Sequence, residues 1–146
     1  MRRTGNKDKK YLIEVDEEQL MLMSKCIEDC SRFASGQVEM ENTLWEIDCK
    51  DMAKVKDRLR DVKGCITPGL DMNASYGWSG GGCSNEAQAL FIAKTYALYR
   101  EMLHVFTVEN HNEETDGYNV YLGSTLRCDG VDLPIIKVKK DDNDAE

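Results

Sequence analysis

The chain has 146 residues, 41% of them hydrophobic and 32% charged, with a formal net charge of −8. That length fits one domain able to bury a core without disulfides or metals. No apolar run approaches the roughly 18 residues of a membrane span. The first ten residues carry +4 (Arg2, Arg3, Lys7, Lys9 and Lys10 against Asp8), which leaves −12 on the other 136. Such a field repels phosphate backbones, so a binder of long nucleic acid is disfavoured, whereas a small anion held by local arginines is not.

Residues 1–10 read as a disordered basic head. The short apolar piece after them lacks the longer core of a secretory signal, which predicts a cytoplasmic protein. Residues 11–15, YLIEV, read as a short strand. Asp16 is a helix N-cap followed by Glu17 and Glu18, and Leu20, Met23, Ile27, Cys30 and Ala34 recur at helical steps. The spacing predicts an amphipathic helix over 17–34, stopped at Ser35-Gly36. A shorter helix is expected within 37–47. Asp48 or Asp51 caps a third, with Met52, Val55, Leu59 and Val62 inward, charge on the other face, and Gly64 as its end. Residues 64–85 form a long loop, and Ser84 or Asn85 caps a long, largely buried helix from 86 to about 106.

After a polar turn at 108–117, residues 118–122, 125–128 and 131–138 read as strands. Asp129-Gly130 signals a hairpin, and Pro134 demotes the last strand to an edge. The tail, 139–146, reads as disordered and acidic. The predicted fold is α+β: one domain over 11–138 with an N-terminal strand, three to four helices including the long buried one, and a small C-terminal antiparallel sheet.

Six cysteines, Cys26, Cys30, Cys49, Cys65, Cys83 and Cys128, contain no CxxC pair. Cys26 and Cys30 share a helix face and could begin a zinc site with His104 or His111. Without further ligand spacing, the reading is no metal, no cofactor, and cysteines used as small buried hydrophobes.

Two segments carry candidate chemistry. In Asn73-Ala74-Ser75-Tyr76-Gly77-Trp78-Ser79-Gly80-Gly81-Gly82, aromatics sit among small residues just before a helix start. Glycine N–H groups and the helix dipole suit an anion, Asn73 and Ser75 supply neutral hydrogen-bonding groups, and Tyr76 or Trp78 can stack on a planar base. No Lys-Ser/Thr follows the glycines, so this is not a P-loop. The alternative is an irregular loop that plugs its aromatics into the core. In Arg32-Phe33-Ala34-Ser35-Gly36-Gln37, Arg32 can face its own helix end or reach round to a phosphate, and Gln37 can orient a ligand or cap. Arg100, on the long apolar helix, needs either a carboxylate or a ligand phosphate. No nucleophile–base pair stands out, so catalysis is not expected.

At these segments the chain resembles a widespread group of small phage-encoded proteins. Their pattern is an acidic helix ending in Arg-x-Gly-x-Gly-Gln, then an Asn-Ala/Gly-Ser-Tyr-Gly loop. A long helix with an Ala-rich start and a late Arg follows, and then a Pro-Leu-Pro stretch. The matches are Arg32, Gly36 and Gln37, the run Asn73, Ala74, Ser75, Tyr76 and Gly77, residues 87–100, and Leu133-Pro134. Ala34 replaces the first glycine, residues 78–82 continue unusually, and 37–51 reads as an insertion. The resemblance implies an anti-defence role: sequestering a small nucleotide immune signal, an ADP-ribose derivative or a cyclic nucleotide, in the host cytosol without catalysis. Arg32, Gln37, Asn73, Ser75, Tyr76, Trp78 and Arg100 would hold the ligand, in a homodimer or higher homo-oligomer. The alternative is an acidic module that inhibits or scaffolds a host or phage protein.

Overall fold

A computed structural model describes residues 8–139. Five α-helices follow in chain order: α1 (Glu17–Ser35), α2 (Glu41–Glu46), α3 (Met52–Asp61), α4 (Lys63–Ile66) and α5 (Glu86–Asn110), with a 3-10 turn at Val120–Leu122. No strand occurs among the described residues, so the expected α+β architecture gives way to a helical one. No helix among them is long and apolar enough to cross a membrane. Most of the basic head and nearly all of the acidic tail lie outside the described residues.

The framework is a pair of antiparallel helices. The start of α5 meets the end of α1, where the Gln88 side chain donates to the Ala34 carbonyl (2.7 Å) and Ser31 Oγ donates to the Ile92 carbonyl (3.4 Å). At the other end Asn110 donates to Glu17 (3.4 Å). Both helices are capped as their sequences dictate. Asp16 and Gln19 form a reciprocal capping box on α1, and Asn85 accepts from the N–H groups of Ala87 and Gln88 on α5.

The contact face of α1 is not the apolar one. Cys30 is exposed, and Leu20, Met23, Ile27 and Ala34 are only half-buried. The buried stripe is Ser24, Glu28, Ser31 and Ser35, about a quarter turn round the helix at 3.6 residues per turn. Small serines allow close approach to α5. Ser24 and Ser35 return their hydroxyls to the carbonyls of Met21 and Arg32, so their burial strands no donor.

The last helices and the C-terminal segment complete a thin core. Val38, Leu44, Ile92, Ala93, Tyr96, Ala97, Met102, Leu103 and Cys128 are its buried hydrophobic members. Helix α2 is capped from outside: the buried Asp29 carboxylate accepts from the N–H groups of Asn42 (3.3 Å) and Thr43 (2.6 Å) and from the Asn42 amide (3.1 Å). Gly64 does not stop α3 as expected; the chain turns at Val62 and runs on through α4. Helix α5 outlasts its expected end and buries one face only, leaving Leu90, Phe91, Leu98 and Val108 exposed.

The missing sheet has a physical reason. The turn at Asp129-Gly130 forms, with Gly130 at φ +74° and Val131 donating to the Cys128 carbonyl (3.1 Å). Its flanks then spend their side chains on α5, where Cys128 and Val131 pack with Ala93 and Tyr96, instead of laddering together. Pro134 removes a donor from the second flank. Residues 118–122 close into the 3-10 turn, with Asn119 accepting from the Tyr121 N–H. Residues 11–15 extend with Leu12 97% exposed, so their apolar side chains have no face to cover.

The cysteines also depart from expectation. Cys26, Cys30 and Cys65 are exposed, Cys49 and Cys83 are intermediate, and only Cys128 is buried; all six are free thiols. No group of three or more metal-ligating side chains occurs among the described residues.

Candidate functional site

The two sequence segments meet at the C-terminal end of α1. Gly36 ends the helix at φ +104°, a left-handed cap that glycine adopts without strain. A Cβ there would come within 2.9 Å of Leu70, so glycine also lets the following loop lie close. The Tyr76 N–H donates to the Ser35 carbonyl (2.8 Å) and pins the Asn73–Gly77 run against the helix end.

Across that junction runs a chain of hydrogen bonds. Arg32 Nε and Nη2 donate to Glu28 Oε1 (2.9 and 2.7 Å), Arg32 Nη1 donates to Gln37 Oε1 (2.9 Å), and Gln37 Nε2 donates to Ser75 Oγ (3.1 Å). Three of the expected site residues, Arg32, Gln37 and Ser75, are therefore joined, with Gln37 as the link. Burial works against the charge on Arg32. The hydrogen bond and negative charge of Glu28 outweigh it and hold the guanidinium above its ordinary value.

Arg100 stands on α5 with its guanidinium 4.6 Å from the centre of the Tyr121 ring, a cation–π contact, and Nη2 donates to the Val120 carbonyl (3.3 Å). No carboxylate pairs with it among the described residues. The phenol of Tyr121 is raised by burial and by Glu28, and it feels the positive charges of both Arg100 and Arg32. Tyr99 lies in the same field: burial, then Glu28, push its phenol up to about 12. Both arginines thus act on Tyr121 although 68 residues separate them in sequence.

Trp78 reaches Tyr99 through stacked aromatics. Its ring lies 5.6 Å from Tyr96, and Tyr96 meets Tyr99 edge-on at 5.7 Å. Tyr76 contributes through its backbone anchor. Asn73 is exposed beside Ser75 and joins none of these contacts. The glycines that follow serve packing. Gly80, buried at φ +71°, lies so close to α5 that a Cβ would sit 2.5 Å from Ala89 Cα.

Three residues escape a reading of the sequence. Tyr99 and Tyr121 look like ordinary aromatics until the fold brings both within the field of Glu28 and Arg32. Lys63, 4% exposed, sends its ammonium to the carbonyls of Met72 and Ala74, directly beneath Asn73 and Ser75. No carboxylate pairs with it among the described residues, so it is a positive charge buried under the loop. A lysine followed by glycine gives no signal of that.

Arg32 and Gln37 also line a cleft of about 290 Å³ together with Glu28, Asp29, Glu39 and Glu41. Its carboxylates would repel a phosphate. The positive charges of Arg100 and Arg32 act instead around Tyr121.

Comparison with known proteins decides nothing further. No family model, no curated protein and no solved structure matches the chain.

Proposed function

We propose that the protein binds a small phosphorylated nucleotide, an ADP-ribose derivative or a cyclic nucleotide, on the face formed by Arg32, Gln37, Ser75, Tyr99, Arg100 and Tyr121, and holds it without turnover. The observation that carries this reading is Arg100, stacked on Tyr121 with no carboxylate partner among the described residues. Such a guanidinium is ready for a phosphate, and the neighbouring aromatic rings suit a base. Gln37 and Ser75 present neutral groups for ribose or base edges, with Asn73 and Trp78 at the margin.

Binding is favoured over catalysis by the neighbours of the polar groups. The hydroxyl of Ser75 accepts from an amide, which cannot take its proton, and His104 directs Nδ1 to the Tyr121 carbonyl (2.8 Å). His111 lies 3.8 Å from Asp116, in the turn after α5. The phage resemblance supplies a setting: sequestration of a nucleotide immune signal in the host cytosol. A homodimer or larger closed assembly belongs to the same reading.

Arg100→Ala removes a half-buried side chain with one carbonyl bond, so it should fold and lose most ligand affinity. Calorimetric titration with the ligand that most raises the melting temperature tests this. Unchanged affinity would remove Arg100 from the site. Charge reversals on the outer face of α3, such as Arg58→Glu, should leave binding unaffected; if they abolish the biological effect instead, the protein-partner reading takes over.

A further inference from the structure

The described chain has two terminal arms, outside every helix, that no element of its own covers. In the first, Tyr11 is 75% exposed, Leu12 97% and Ile13 69%; in the second, Ile135 is 86% and Val138 46% exposed. Both carry the apolar, β-branched composition of strands, yet neither pairs within the chain. One ion pair links them: Lys139 Nζ is 3.0 Å from Glu14 Oε1. Backbone with unpaired donors and acceptors is a template for another strand.

We propose that these arms form the contact between two copies of the chain, with residues 11–15 of one pairing as a strand with residues 135–139 of the other. Three features favour a second copy over another occupant. The arms carry opposite charge, Glu14 on the first against Lys137 and Lys139 on the second, so each complements the other across a two-fold axis. At the 150–250 Å² that an aromatic side chain can bury, and somewhat less for an aliphatic one, the exposed side chains of the arms offer on the order of 600 Å² per copy, the lower end of a standard interface. Pairing also supplies the partner strands that the sequence pattern requires and the single chain lacks. The segment begins after Pro134, so every residue in it keeps its backbone donor. The contact does not depend on whether a nucleotide binds.

Sedimentation equilibrium of the full chain should give twice the chain mass. Leu12→Asp and Ile135→Asp, at positions already open to solvent, should each yield a monomer with an unchanged helical circular dichroism signal. Glu14→Lys alone, and the double variant Lys137→Glu/Lys139→Glu alone, should each weaken association on the order of tenfold through like charges. An equimolar mixture of those two proteins should recover the dimer, because both intermolecular arm pairs are then of opposite sign while the contacts within each chain stay repulsive. A monomeric wild type overturns the proposal. So does a dimer that survives both aspartate variants, or one broken instead by Phe91→Asp on α5.

Discussion

Asp29 caps a helix to which it does not belong. It is 1% exposed, and its oxygens take the two N–H groups at the start of α2 that Met40, in a left-handed conformation at φ 53°, cannot serve. Asp29→Ala should strand those donors and cost about 2 kcal/mol in denaturant unfolding, since a lost cap and a buried unmet donor each cost about that much or less. Tyr99 sets a pH dependence. Its phenol is held up to about 12 by burial and Glu28, against about 10 in an unfolded chain. The neutral form is the one the fold favours. Its contribution is therefore fully present below pH 10 and is lost as the pH rises towards 12. Tyr99→Phe should flatten part of that decline, and stability curves taken between pH 9 and 12 would show it. At this scale the sequence points well to polar groups with unusual surroundings: Arg32, Gln37 and Ser75 come together as a hydrogen-bonded set. Lys63, Tyr99 and Tyr121 stay hidden because only the folded chain gives Lys63 its loop carbonyls and brings the two tyrosines near Glu28 and the arginines.

Among the elements, the helices are legible and the strands are not. Caps and periodicity are local, so Asp16, Asn85 and the apolar repeat of α5 mark their helices within a few residues. Strand pairing is not local: 11–15 and 125–138 read as strands but need a partner edge that the single chain does not offer. The buried face of α1 is a second failure of periodicity. Serines that satisfy their own hydroxyls can replace leucines wherever close approach is what the packing needs. The glycine-rich loop shows the same ambiguity between anion cradle and packing device, and Gly80 resolves it towards packing. Gly80→Ala forces a Cβ into Ala89 at a positive φ and should cost on the order of 2–3 kcal/mol. Thermal unfolding of the variant tests this. A stability equal to wild type would mean that the loop does not rest on α5 in solution.

At the scale of the whole molecule, a few buried hydrophobic side chains close a helical pair while large apolar residues remain at the surface. A core that thin gains from anything that binds only the folded form. Association of two copies should make the melting temperature rise with protein concentration, and a ligand should raise it further. The most direct test of the central claim is the melting temperature of the purified protein against a panel of ADP-ribose derivatives and cyclic nucleotides, with Arg100→Ala in parallel. A ligand at a hundredfold excess over its dissociation constant adds about 2.7 kcal/mol of apparent stability. The account predicts such a rise with at least one member of the panel, its loss in Arg100→Ala, and recovery of the ligand intact after heating. No rise with any member, or an equal rise in the variant, would contradict it.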